Sequence, residues 1–223
     1  MSENQKDSWE ESYRQGDNFV FYPHEEVIRF VSKYIRKRTG FDSFSDVSTL
    51  APPHSRASLK VLDLGCGIGR DTAPMLQQNW TVLAIDQEPS AIAQLEANFP
   101  AHPNLTTQVA KFEALKINQP VSLINASFCL PFCSAEAFPR LWDHIFESLI
   151  TGGRFSGHLF GDRDSWKEGG LINCQTRSQV ETLLKPYKIE LLEEEEHLGK
   201  TPLGEDRYWH VFHIVAQKSS NPK

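Results

Sequence analysis

The sequence predicts an α/β chain: a doubly wound, seven-stranded, mostly parallel sheet with a C-terminal antiparallel strand and an N-terminal helical cover. Three observations predict it. Short apolar strands alternate with helical segments from Lys60 to Leu184, a pattern that builds parallel sheets covered on both faces. A glycine-rich turn, Gly65-Cys66-Gly67-Ile68-Gly69, joins the first of those strands to the first of those helices. Two final apolar stretches follow one another with no helical period between them, so they should pair antiparallel.

Each element has its own signal. Val27, Phe30, Val31, Tyr34 and Ile35 recur at the spacing of an amphipathic helix, with Pro23 before it and Lys-Arg in its last turn. Residues 39–58, rich in Ser, Pro, Thr and Gly, read as a linker, so residues 1–58 are expected to be cover and linker and 59–218 the main domain. Strands are expected at 60–64, 81–86, 105–109, 121–126, 154–160, 189–192 and 209–215. Helices are expected at 70–78, 89–98, 139–149 and 178–184, with Pro74 near a first turn and Pro89 at a start. The acid run Glu193 to Glu196 reads as a solvated strand end rather than a metal site.

Composition narrows the classes. The 223 residues carry a formal charge of −6, which argues against a chain that coats nucleic acid by bulk charge. Only Lys33 to Arg38 forms a basic cluster, and it falls at the solvated end of the first helix. Cys66, Cys129, Cys133 and Cys174 make no Cys-x-x-Cys pair and have no histidines at zinc-ligand spacing, so no metal is expected. No apolar run is long enough to span a bilayer, and the polar opening MSENQKDSWEES lacks a secretory core. A cytoplasmic chain without membrane contact is the expectation.

The chemistry lies in Asp63-Leu64-Gly65-Cys66-Gly67-Ile68-Gly69-Arg70. Glycine can take positive φ in a sharp turn, and its missing Cβ lets a ligand lie against the backbone. Twenty-one residues after Gly65, Asp86 closes the second strand, where a carboxylate can accept from both hydroxyls of a ribose.

This arrangement resembles the class I S-adenosylmethionine (SAM)-dependent methyltransferases, a family with a Rossmann-like fold. Their first motif is an apolar strand bearing an acid, followed by Gly-x-Gly-x-Gly; Asp63, Gly65, Gly67 and Gly69 match it. The resemblance covers about residues 60 to 217 and implies SAM as cofactor. It implies that Gly65 and Gly67, with Cys66 between them, line the methionine part. Asp63 would order the turn or meet the amino group. Asp86 would hold the ribose and Gln87 neighbour the adenine. Lys111 stands where the family commonly has an acid beside the adenine, and Phe112 follows as the apolar neighbour. Ala126, Ser127 and Phe128, after the fourth strand, are candidates to line cofactor and acceptor. Some amino-group methyltransferases carry Asn-Pro-Pro-aromatic there. Asn125 to Phe128 keeps the ends of that motif and neither proline.

Two other readings stand beside this one. An NAD(P)-dependent oxidoreductase would want Gly-x-Gly-x-x-Gly, and Arg70 replaces its third glycine. A SAM-binding regulatory module without turnover finds support in Lys111. For the acceptor side the candidates are Arg163 and Trp166 after the fifth strand, Tyr208 and His210 on one face of the last strand, and Tyr22 with His24, Trp9 and Tyr13 as an aromatic cover. The resemblance implies a small-molecule acceptor.

Overall fold

The computed structural model describes residues 59–219, apart from 116, 118, 171, 202 and 203. The expected helix at 24–35, the linker at 39–58, and Tyr22 with its aromatic neighbours lie outside the described residues.

In chain order the elements are β1 (Lys60–Leu64), α1 (Thr72–Gln77), β2 (Thr81–Asp86), α2 (Pro89–Asn98), β3 (Leu105–Val109), β4 (Val121–Ala126), α3 (Phe138–Ser148), β5 (Leu149–Gly161), β6 (Cys174–Gln175), α4 (Arg177–Leu183), β7 (Tyr187–Lys200) and β8 (Asp206–Lys218). The sheet runs β3-β2-β1-β4-β5-β8-β7, and β6 adds a two-residue parallel pairing to Phe160–Gly161 of β5. Strands β1 to β5 are parallel to their neighbours, whereas β8 is antiparallel to both β5 and β7. The doubly wound sheet of the sequence reading is therefore present, with the short β6 as an addition.

Alternation along the strands sends successive side chains to opposite faces. Val61, Val82 and Ala84 meet Met75 and Leu76 of α1 and Ile92 and Leu95 of α2. On the other face Leu62, Ile124, Phe155, Leu159 and Phe212 pack under Leu141, Trp142 and Ile145 of α3 and Val180 of α4. The Trp142 indole also donates to Leu183 O at 3.1 Å, tying the two helices. Thr176 and Gln179 close a capping box at the start of α4.

Helix ends lie within two residues of expectation, but three strands run longer. β5 begins at Leu149, whose N–H still closes the last turn of α3, so helix passes into strand with no connecting loop. β7 continues through the acid run to Lys200. Its polar residues stay extended because β7 is an edge strand whose Glu193, Glu194 and Glu195 pair in register with His213, Phe212 and Val211 of β8. Hydrophobic alternation does not mark such a strand, since one of its sides needs no apolar partner. β8 reaches back to Asp206, so the β7–β8 hairpin projects past Phe160↔Val211, the last pairing with β5, on the side where the parallel strands end.

At the other end of β8, Lys218 Nζ donates to the carbonyls of Phe146 (2.8 Å), Glu147 (3.2 Å) and Leu149 (2.7 Å), closing the C-terminus of α3. A cation on exposed helix carbonyls is favourable. Lys218→Ala should cost about 1–2 kcal/mol, read as a lower denaturant midpoint with unchanged slope.

Candidate functional site

The first crossover turn leaves β1 with Gly65, Gly67 and Gly69 at φ of 63°, 52° and 96°. A Cβ on Gly65 would fall 2.3 Å from Cβ of Cys129, and one on Gly69 would fall 2.3 Å from Leu95 of α2. Gly69 is thus the close-approach glycine of this turn, and Arg70 can follow it without crowding the core. Gly65 and Gly67 are half-buried, leaving bare backbone at the carboxyl end of the sheet, while Cys66 is buried and donates its N–H to Ile85 O at 3.1 Å. Burial pushes the Cys66 and Cys129 thiols up, and the neighbouring carboxylates Asp63 and Asp86 add to it.

Beneath the turn lies a buried polar knot. Thr72 Oγ1 donates to Asp63 Oδ2 at 2.6 Å, and Asn125 Nδ2 donates to Asp63 Oδ1 at 2.9 Å. The same Asn125 nitrogen reaches Asp71 Oδ2 at 3.2 Å. Asp63 and Asn125 are register partners on β1 and β4, so the knot binds α1 and two adjacent strands at one point. Burial, and then the charge of Asp71, push the Asp63 carboxyl up to about 7 against the pull of its two donors.

Asp86 ends β2 half-buried. Its Oδ2 accepts from Gly67 N at 2.8 Å and its Oδ1 from Glu88 N at 3.0 Å. Burial raises its pKa, and the amides of Glu88, Gly67 and Gln87 offset part of that rise. A carboxylate has about four lone-pair sites, so these two bonds leave acceptor capacity for hydroxyls. Gln87 follows, half-buried.

Lys111 comes just after Ala110, whose N–H donates to Asp86 O at 2.9 Å. Lys111 is exposed and leads into a short 3-10 turn, while Phe112 packs against the core. After β4, Ala126 is buried and Ser127 donates to Asn125 Oδ1 at 3.4 Å. Phe128 takes φ of 52° and stacks on His158, ring centroids 4.0 Å apart. The structure thus brings Asp63, the glycines, Asp86 and the segment after β4 together around the carboxyl ends of β1, β2 and β4.

The acceptor-side candidates form a second cluster, where the β7–β8 hairpin meets the loop after β5. Arg163 NH2 lies 2.7 Å from both Glu194 Oε1 and Glu196 Oε1, and Arg163 Nε donates to Glu196 Oε2 at 2.8 Å. His210 is fully buried; its Nδ1 accepts from Arg163 N at 3.1 Å, which places the ring proton on Nε2, 2.9 Å from Glu194 Oε1. Both ring nitrogens are therefore engaged. Tyr208 OH donates to Glu196 Oε2 at 3.1 Å. Oxygens of Glu194 and Glu196 and a nitrogen of His210 lie within 4.8 Å of one another, but the Arg163 guanidinium is the cation among them.

Three residues outside the sequence reading anchor these parts. Asp71 joins the buried knot. Asp164 accepts from Trp166 N (3.0 Å), from Arg207 Nε (3.1 Å) and NH2 (2.8 Å), and from His210 N (3.3 Å). The buried Arg207 guanidinium lies 3.6 Å from the Trp166 ring centroid and 3.7 Å from that of Trp209. Arg207 and Trp209 stand two apart on β8, so their common face was legible; their joint grip on Trp166 was not.

The strand order with a reversed strand slotted in before the edge, a glycine turn after β1 and an acid ending β2 together define the class I, SAM-dependent methyltransferase fold. Residues 61–153 match the family model of a methyltransferase domain. Solved structures with the same architecture include TehB from Haemophilus influenzae, 19% identical with a TM-score of 0.63, covering 85% of this chain and 67% of TehB. The N-methyltransferase NodS from Bradyrhizobium japonicum WM9, in complex with S-adenosylhomocysteine (SAH), is 14% identical at TM-score 0.63, covering 95% and 98%. Magnesium protoporphyrin IX methyltransferase from Synechocystis PCC 6803 with bound SAM is 15% identical at TM-score 0.58, covering 97% and 92%. No curated protein matches the chain by sequence. Among the described residues no helix is long and apolar enough to cross a membrane.

The raised Asp63 gives a pH signature. Folded Asp63 keeps its proton up to about 7, whereas an unfolded aspartate loses it near ~4. The group's contribution is therefore full below the unfolded value and is lost as pH climbs toward 7. Asp63→Asn should gain on the wild type by at least about tenfold in folding constant between pH 4.5 and 7.5, measured by denaturant titration at both pH values. Arg207→Leu strands the buried Asp164 carboxylate and should cost about 3–5 kcal/mol, seen in thermal unfolding.

Proposed function

We propose that this chain is an enzyme that uses SAM to methylate a small-molecule acceptor by in-line displacement. The observation that carries the reading is the run of three positive-φ glycines facing Asp86, whose carboxylate already holds Gly67 N. The residues fit the cofactor: half-buried backbone at Gly65 and Gly67 would take its methionine part, and Asp86, with lone pairs to spare, its ribose diol. Gln87, Lys111 and Phe112 would lie along the adenine. Ala126, Ser127 and Phe128 would face the junction with the acceptor. When bound, SAM supplies a methyl group on an already activated sulfonium. The protein's part is then to orient the acceptor and exclude water, and positioning of this kind supplies much of an acceleration.

No titratable side chain is required as a base if the acceptor need not lose a proton to attack. This accords with His210, whose two ring nitrogens serve Arg163 and Glu194. The Arg207–Asp164 pair and the indoles of Trp166 and Trp209 would form a rigid wall on the acceptor side. One feature supports the regulatory alternative: Lys111 is exposed where an acid is usual. Turnover separates the two readings.

Calorimetry should show SAM and SAH binding to the wild type and no saturable binding of NAD(P). Asp86→Ala should weaken both SAM and SAH by about 1–3 kcal/mol through loss of a charged hydrogen bond. Release of SAH across amine, thiol, hydroxyl and carboxyl acceptors should identify the nucleophile. Absence of binding by SAM and SAH at millimolar concentration ends the reading.

A further inference from the structure

We propose that Asp71 is the residue that receives the α-ammonium group of the bound cofactor, in place of the motif acid Asp63. The inference rests on the cofactor reading above and goes beyond it by assigning one contact.

The assignment starts from the hydrogen-bond capacity of the buried knot. Each oxygen of Asp63 already accepts one hydrogen bond, from Thr72 and from Asn125. Asp71 is only 6% exposed, one of its oxygens is 3.2 Å from Asn125 Nδ2, and the other, Oδ1, has no hydrogen-bond partner among the described residues. A carboxylate oxygen left bare in the interior is costly, and native structures retain such a group where something else satisfies it. Asp71 follows Gly69 by two residues, so the bare oxygen belongs to the turn that would hold the methionine part of the cofactor.

The missing partner must be a donor and a cation. Two neighbouring carboxylates favour positive charge, and the charge of Asp71 adds to the upward push that burial gives Asp63. A divalent metal would want about six oxygen ligands, and this knot offers one carboxylate oxygen without a hydrogen-bond partner among the described residues. An ammonium needs only short N–H contacts and offers three. Its bond to an ionised carboxylate would be stronger than one to a neutral acceptor. SAM and SAH both carry that ammonium, so Asp71 would act on the binding of both and not on the sulfonium.

The test pairs a variant with an altered ligand. SAH and its desamino analogue, which keeps the carboxylate and lacks the amine, are titrated into wild type and Asp71→Asn by calorimetry at pH 7.5. Wild type should prefer SAH by roughly ten- to a hundredfold, and Asp71→Asn should lose most of that preference while binding the desamino analogue as wild type does. Asp71→Ser, which also removes the carboxylate, should behave alike, and thermal unfolding without ligand should show both variants cooperatively folded at the titration temperature. The proposal is overturned if the variants keep the preference, or if they weaken both ligands equally, as a merely structural role would. Failure of wild type to bind either ligand would instead remove the cofactor reading itself.

Discussion

The ligand end of this sheet depends on the bonds that Thr72 and Asn125 donate to Asp63. Asp63 sits at a position on β1 where alternation would place an apolar residue, and its carboxyl is 1% exposed. Burying an acid there is tolerable only because α1 and β4 each contribute a donor. The same two bonds fix where α1 starts and how far β4 runs before Phe128 turns away. The glycine turn is thus held from below by a polar contact, which has a direction, rather than by apolar packing, which has none. Cys129 closes it from the side: its thiol donates to Leu64 O at 3.0 Å, and its Cβ takes up the room a side chain on Gly65 would need.

A second polar anchor holds the opposite rim. Asp164 accepts from the backbone of Trp166 and His210 and from the Arg207 guanidinium, so the loop after β5 and the start of β8 move as one piece. Its cost is the desolvation of two charges, offset by good geometry and by the two indoles that cover the guanidinium. Arg163 does a similar task in the open, where its pairs with Glu194 and Glu196 are solvent-screened and stabilise less. Both anchors sit beyond the last β5–β8 pairing, where no sheet neighbour would hold the hairpin otherwise.

Sequence reasoning reads those parts whose physics is local. The turn is legible because glycine takes φ of 63°, 52° and 96° more readily than any other residue, and β1, β2 and β4 because buried parallel strands are nearly continuous apolar runs. The acid run on β7 reads as a strand end because hydrophobic alternation stops there, yet pairing with β8 carries the strand on to Lys200. Asp71 gives no local signal, since an acid at the start of a short helix reads as a cap. In the fold it makes no cap bond and faces Asn125, 54 positions along the chain. Arg207 is similar: a cation just ahead of the expected last strand looks exposed until Asp164 and two tryptophans are folded around it.

The two anchors also bear on the proposed methyl transfer. The acceptor-side candidates that the last strand and its neighbouring loop bring to the rim already have partners: His210 with Glu194, Tyr208 with Glu196, Arg163 with both acids. Freeing any of them to take a proton would break a contact that holds the hairpin in place. Methyl transfer from a sulfonium tolerates this economy, because its leaving group needs no acid and a nucleophile that need not lose a proton needs no base. What it does require is alignment, and alignment is what buried, mutually satisfied polar groups supply. The chemistry that best suits such a rim is therefore one limited by geometry rather than by proton transfer.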